Sequence, residues 1–308
     1  MSEDAQSEVP KSESAQKDGE SPVGVRTVVL TGASSGIGEI AAAALAEQGA
    51  RVIVVGRNAE RTNAVADRIG GEALLADFEK LDDVRALASD LLERLDRIDV
   101  LANNAGGLYG TREVTVDGHE RTFQLNHLAP FLLTSLLRDR LVESAKDAPV
   151  RVVNTASMAN TFGSLRLDDL EWEKRPWRGG WRAYGTSKLE SILFTRELAE
   201  RLTGTGVSAY SFHPGTIVTR FGGQSPLIRF GHAVTGGHYG RSPEGGAGPL
   251  LALAGDIPVK APSGTYFDRF TADGRVNAQA RNPQLQRDLW AATEASLGVA
   301  PSSGFSAA

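Results

Sequence analysis

Eight residues, Thr31-Gly32-Ala33-Ser34-Ser35-Gly36-Ile37-Gly38, constrain this chain more than any other stretch. Val28-Val29-Leu30 before them read as a short buried strand, and Ile37, Ile40, Ala44 and Leu45 after them recur at helical spacing. The run therefore sits where a strand becomes a helix. Its three glycines let the backbone turn sharply and put no Cβ in front of an approaching group. The free N–H groups of the new helix face that group, with the positive end of the helix dipole behind them, and this suits a pyrophosphate. Gly32, Ser34, Ser35, Gly36, Ile37 and Gly38 are the expected lining of such a cradle. The spacing is not the commoner G-x-G-x-x-G.

From Val25 onward short apolar runs alternate with helical periodicity. The runs are Thr27–Leu30, Val52–Val55, Ala73–Leu75, Val100–Ala102, Val150–Val153, Val207–Ser211 and Thr265–Phe267. Between them lie apolar stripes such as Val84, Leu87, Leu91, Leu92 and Leu95. Continuously apolar strands separated by helices predict a mostly parallel, seven-stranded sheet covered on both faces. Right-handed crossovers make the doubly wound α/β arrangement the simplest topology, with one folded domain over 25–300. Residues 1–24 lack any apolar run and read as a disordered polar tail, and 301–308 as a loose end.

Two segments break the alternation. Residues 161–182 carry Trp172, Trp177 and Trp181, and 221–248 are glycine-rich with Leu227, Ile228, Phe230 and Tyr239 dispersed through them. Long loops inside a compact domain are usually functional. Both follow strands whose ends face the expected ligand crevice, so they read as substrate walls and lids.

A net charge of −5 argues against nucleic acid or an anionic membrane as the main partner. Zero cysteines exclude disulfides and thiolate chemistry and fit a reducing, cytoplasmic setting. No hydrophobic stretch in the tail is long enough for a signal peptide or membrane anchor. No His and carboxylate cluster has metal-ligand spacing, so no metal is expected, and His127 and His213 read as packed or hydrogen-bonded histidines.

Chemistry concentrates in Tyr184-Gly185-Thr186-Ser187-Lys188. Four positions apart on a helix, the phenol and the ammonium share one face. A free phenol titrates near ~10, and a nearby fixed cation stabilises phenolate and brings the group closer to working pH. Val152-Val153-Asn154-Thr155-Ala156-Ser157 is a strand ending in a hydroxyl, and Asn103-Asn104-Ala105-Gly106 closes another strand. Asn126 stands in an apolar helix, where an amide is costly unless partnered. His213-Pro214-Gly215-Thr216 ends a further strand with a turn and a hydroxyl.

These motifs, in this order, resemble the short-chain dehydrogenase/reductases, from about Val25 to Val218, and so imply a Rossmann fold. The run from Asn126 to Thr134, the Ser187-Lys188-Leu189 sequence and the long interval from Ser157 to Tyr184 are similar to the retinol-dehydrogenase-like branch and its bacterial aromatic-polyketide ketoreductases. The resemblance implies Tyr184 as acid/base, Ser157 as the hydroxyl that orients the substrate oxygen, and Lys188 as the cation that tunes Tyr184 and binds the nicotinamide ribose. Asn126 would hold a water passing protons from Lys188 to solvent. Asp77 and Phe78 would border adenine, and Asn104, Ala105 and Gly106 the cofactor's middle. Pro214, Gly215, Thr216, Val218 and Thr219 would flank the carboxamide. Many relatives pair through the helices predicted over Asp117–Leu141 and Tyr184–Leu202, which admits a homodimer, but apolar periodicity does not separate an interface from core.

The second strand ends in Gly56-Arg57-Asn58 with no carboxylate to take a ribose diol. Arg57 suits a 2′-phosphate, which favours NADP(H) over NAD, although an arginine stacked on adenine would serve either. Apolar surface from Phe162, Trp172, Trp177 and 221–248 implies a fairly large lipophilic carbonyl or alcohol, whether steroid, retinoid, polyketide or aryl ketone. Two rivals stand beside this reading. One is a dinucleotide-sensing regulator without turnover, and the other is a sugar-nucleotide epimerase or dehydratase of the extended type.

Overall fold

The computed structural model describes residues 24–215 and 243–299. The N-terminal tail to residue 23, residues 216–242 and the end from 300 lie outside the described residues, and with them Thr216, Val218, Thr219 and most of the predicted 221–248 loop.

The apolar runs form strands β1 (Thr27–Thr31), β2 (Arg51–Gly56), β3 (Glu72–Leu75), β4 (Val100–Asn103), β5 (Val150–Thr155), β6 (Val207–His213) and β7 (Tyr266–Asp268). They pair in parallel in the order β3-β2-β1-β4-β5-β6-β7. An eighth strand, β8 (Thr271–Ala272), turns back antiparallel on β7. The predicted seven strands become eight because two exposed residues carry no apolar signal to announce them.

Strand pleating sends alternate residues to opposite faces. Val29, Ile53, Val55, Leu101, Val152 and Ala209 enter one core layer, whereas Val28, Leu30, Val52, Val54, Ala102 and Phe212 enter the other. The second layer is closed by α1 (Gly36–Glu47), α2 (Ala59–Ile69) and α7 (Pro243–Ala254). The first is closed by α3 (Leu81–Arg94), α5 (Ala129–Ser144), α6 (Trp181–Arg201) and α8 (Pro283–Ser296). The helix predicted from Asp117 starts only at Arg121, with a short turn α4 (Arg121–Phe123) capped by the Glu120 carboxylate on the N–H groups of Thr122 and Phe123.

Residues 243–248 belong to α7 rather than to a loop. The run of glycines hides the helix in the sequence. At Gly248 a Cβ would meet the Phe270 ring at 2.9 Å, so a small residue is required where the chain packs. The C-terminal carbonyls of α7 and the residues just beyond it are taken by two guanidiniums. Arg151 bonds Leu253 O at 3.0 Å, Gly255 O at 2.8 Å and Ile257 O at 3.1 Å, and Arg26 bonds Ala254 O at 2.6 Å. Both outer strands are short. β3 has four residues, with Glu72 held by Arg51 at 2.7 Å, and β8 has two.

The strand order reverses beside β1, between β2 and β4. At such a switch point the loops at the carboxyl ends part and leave a crevice. Thr31, Gly56, Asn103, Thr155 and His213 mark those ends.

Candidate active site

A cavity of about 1050 Å³ runs across the carboxyl ends of the strands. One wall is the glycine run. Gly32 and Gly36 have φ of 65° and 61°, the left-handed region open to glycine. At Gly38 a Cβ would lie 2.3 Å from the Gly32 carbonyl oxygen. Three glycines therefore permit the turn and the tight start of α1. Ser35 caps that helix in extended conformation without a side-chain hydrogen bond to it, so the first-turn amides open onto the cavity. Asn104 locks the turn from behind, with Nδ2 donating to Thr31 O at 3.0 Å and Gly32 O at 3.3 Å. Thr31 Oγ1 accepts the N–H groups of Asn104 and Ala105 at 3.0 Å each. This cradle, with Gly32, Ser34, Ser35, Gly36, Ile37, Asn104, Ala105, Gly106, Pro214 and Gly215 along the same cavity, fits a dinucleotide.

The opposite wall is α6. Tyr184 and Lys188, one turn apart, both face the cavity and are almost wholly buried. Lys188 Nζ donates to the Thr155 carbonyl at 2.9 Å and lies 5.7 Å from the centre of the Tyr184 ring. Ser157, just past the end of β5, hydrogen-bonds the Tyr184 phenol. Its Oγ also accepts the Ala159 N–H at 3.2 Å.

Burial dominates the electrostatics of this wall. It pushes Tyr184 up to about 12, the Ser157 hydrogen bond pulling the other way, and it draws Lys188 down to about 8. In the protein alone, burial outweighs the Ser157 hydrogen bond at the phenol. Desolvation also lowers the Lys188 ammonium, which lies 5.7 Å from the ring centre. The phenol thus carries its proton at neutral pH.

Asn126 reaches the site through a feature the sequence did not announce. Residues Gln124–Leu128 form a π-helical turn between α4 and α5. Such turns carry one extra residue and often mark functional positions. Asn126 Oδ1 accepts the Gly107 N–H at 2.8 Å, and Nδ2 donates to Gly107 O and Ser187 Oγ at 2.9 Å each. The amide thereby ties the 104–107 turn to α6, and it crowds Gly106, whose Cβ would fall 3.0 Å from Asn126 Oδ1. Asn126 and Lys188 also border a second cavity of about 10 Å³, roughly the room one water needs. Asn103, next to Asn104 in the motif, instead faces inward and donates to Thr134 and Asn154.

The far end of the large cavity is lined by Arg57, Asn58, Arg61, Arg68, Asp77 and Phe78. Arg57 donates to Glu79 at 2.8 Å and lies 3.6 Å from Asp77. Asp77 also accepts the Glu79 N–H at 3.1 Å. Glu79, Tyr109, Arg121, Ser187 and Thr155 were missed by sequence reasoning. Ser187 sits between Tyr184 and Lys188 and could have been found from helical spacing, but Glu79 and Arg121 are 42 positions apart and share no motif.

The predicted aromatic wall is only partly present. Trp172 is buried, stacked under the Arg175 guanidinium at 3.7 Å and edge-on to Trp177, and Trp177 donates to Gly110 O at 3.0 Å. Neither lines the cavity, because each satisfies packing within its own segment. Trp181 instead stands edge-on to the Tyr184 ring at 6.3 Å, beside Leu108 and Ala159. Met158 and Phe162 are exposed. His127 is buried with Nε2 on Thr293 at 2.8 Å, and His213 lines the cavity beside Pro214. Among the described residues no His, Cys, Asp and Glu group has metal-binding geometry, and no helix is long and apolar enough to cross a membrane.

Comparison with known proteins agrees with this geometry. The short chain dehydrogenase model matches residues 26–168. A Streptomyces sp. (strain C5) protein provisionally named daunorubicin C-13 ketoreductase is 41% identical over 89% of this chain and 93% of its own length. Human retinol dehydrogenase 13 is 36% identical over 90% of this chain and 86% of its own. Among solved structures, an uncharacterized protein from Mycobacterium paratuberculosis superposes with a TM-score of 0.71 at 33% identity, covering 89% of this chain and 94% of that one. Pseudomonas aeruginosa RhlG, solved as an NADP active-site complex, gives 0.62 at 29% identity over 79% of this chain and 93% of its own. With a glycine cradle on one wall and a Tyr–Lys–Ser constellation on the other, the chain belongs to the short-chain dehydrogenase/reductase family of oxidoreductases.

Proposed function

We propose that this protein is an NADP(H)-dependent carbonyl reductase acting on a fairly large lipophilic ketone or aldehyde. The observation that carries this reading is the convergence of Tyr184, Ser157 and Lys188 on the cavity wall across from the phosphate cradle. When bound, the nicotinamide supplies the hydride. The Ser157 hydroxyl orients the substrate oxygen, and Tyr184, protonated at neutral pH, gives it the proton that completes the alcohol. Lys188, held by the Thr155 carbonyl, keeps positive charge behind the phenol as that proton leaves. Asn126 and Lys188 border the space for the water that returns it.

NADP(H) is favoured over NAD because the end of β2 presents Arg57 and no carboxylate, and Arg61 and Arg68 line the same bay. Leu108, which lines the cavity, and Trp181, packed beside it, support a lipophilic substrate, and the two relatives named above are called a ketoreductase and a retinol dehydrogenase. The protein is read as working in the cytoplasm.

The test is a panel of aromatic, steroid, retinoid and polyketide-like carbonyls, followed by loss of NADPH absorbance. Turnover of at least one large member is expected, and Tyr184→Phe should lower it by roughly 10²–10⁴-fold while NADPH still binds. Undiminished turnover in Tyr184→Phe overturns the acid/base assignment. NADPH binding with no turnover across the panel favours a dinucleotide sensor.

A further inference from the structure

The bay at the far end of the large cavity contains a charge cluster that the redox reading does not use. Glu79 lies at its centre, with only 19% of its side chain exposed. Its Oε1 accepts Arg57 at 2.8 Å, Arg121 NH2 at 2.9 Å and the Tyr109 hydroxyl at 3.2 Å, and its Oε2 meets Arg121 Nε at 2.9 Å. Arg121 also lies 3.9 Å from the centre of the Tyr109 ring and pairs with Glu113 at 2.7 Å. Asp77 stands 3.6 Å from Arg57. Three carboxylates (Asp77, Glu79, Glu113) thus surround two guanidiniums (Arg57, Arg121), so negative charge stands directly beside the arginine read as the donor to the phosphate.

The partners are not equally free. The Arg57 side chain is 59% exposed, whereas Arg121 is 23% exposed and grips Glu79 through two nitrogens. If Arg57 swings away, Glu79 keeps the paired Arg121 contact and the Tyr109 hydroxyl, so no buried charge is orphaned. A phosphate arriving while Arg57 remains in place would face two carboxylates at close range, and like charges oppose it.

Resting on the NADP(H) reading, we infer that Glu79 is an internal competitor for Arg57, a carboxylate that a 2′-phosphate must displace, and hence the residue that sets how strongly the site prefers the phosphorylated coenzyme. Arg57 exchanges one anion for another, while Arg121 and Tyr109 hold the vacated carboxylate in place. A supporting role, in which Glu79 aims Arg57 at the phosphate, predicts the opposite sign.

The test is titration calorimetry on the full chain with 2′,5′-ADP, which carries the distinguishing phosphate, and with 5′-AMP, which lacks it. Glu79→Gln keeps an acceptor for Tyr109 and Arg121 but removes the charge. It should tighten 2′,5′-ADP by roughly two- to fivefold, the range of a partly exposed ion pair, and leave 5′-AMP unchanged. In an Arg57→Ala background the same change should have a smaller effect on 2′,5′-ADP, only the direct repulsion being relieved, and none on 5′-AMP. Glu79→Asp, which draws the carboxylate back from Arg57, should act in the same direction more weakly and serves if Glu79→Gln does not fold. Unchanged or weaker 2′,5′-ADP binding in the folded Glu79 variants, with Arg57→Ala still costing affinity, overturns the competitor role and leaves the NADP(H) reading standing. No loss of 2′,5′-ADP preference in Arg57→Ala overturns both.

Discussion

Glu190 illustrates how a single side chain can shape the pH response of the whole protein. It lies buried on α6, two residues beyond Lys188, and desolvation raises its carboxyl to about 8, with Glu120 and Glu171 adding to the effect and Arg175 opposing it. In the unfolded chain the same carboxyl titrates near 4.5, so between those values the native state keeps a proton that the unfolded state has lost. Its contribution to stability is therefore full below about pH 4.5 and declines as pH rises toward about 8. Glu190→Gln should match the parent in acid and exceed it by ~1 kcal/mol or more at the upper end of that window, read from urea denaturation at several pH values. A difference that does not vary with pH would show that Glu190 is not held protonated. His127, pulled down to about 3 by burial, acts with the other sign: stability rises with pH from there to the ordinary histidine value. It does so equally in both proteins and cancels from the comparison.

Among the elements, the segment before α6, read from the sequence as a substrate wall or lid, is held by one arginine. Arg175 fastens it, with Nε on Asp169 Oδ2, NH1 on Ser164 O and NH2 on Asp169 O, all at 2.6 Å, and Trp172 beneath the guanidinium. Asp169 also accepts the N–H groups of Glu173 and Lys174. Because the pair is nearly buried, Arg175→Ala leaves a carboxylate without its cation and should cost roughly 3–5 kcal/mol. It should also open this stretch to limited proteolysis, and unchanged stability would mean the segment is not built around that pair. The contrast with the strands shows where the sequence is legible. β1 through β7 fall within two residues of their apolar runs because a strand buried on both faces needs continuous hydrophobicity, and the Tyr184–Lys188 pair was readable because helical spacing alone fixes which residues share a face. The π-turn that presents Asn126 was not, since one added residue in a helix leaves no trace in periodicity. Helix α7 was hidden by glycines whose small size serves packing. The Glu79–Arg121 pairing exists only once β3 and α4 are brought together.

At the scale of the whole molecule, α8 closes one side of the core. Sixteen of the 21 residues of α6 are buried within one chain, and α8 covers the seam between α5 and α6. Trp290 fills it, 4.6 Å from Phe131 and 5.8 Å from Phe194 between ring centres, with Arg201 over its outer face and its Nε1 on Glu294 at 2.8 Å. The last described helix thus packs on α5 and α6 within one chain. Trp290→Ala should cost roughly 3–5 kcal/mol and expose that seam. The two borders of the sheet carry a separate consequence. Among the described residues, with four at one margin, one of them an ion-paired glutamate, and two exposed at the other, neither margin offers enough unpaired backbone to recruit a foreign strand. At these two described margins, brevity itself guards crowded molecules against fibrillar stacking.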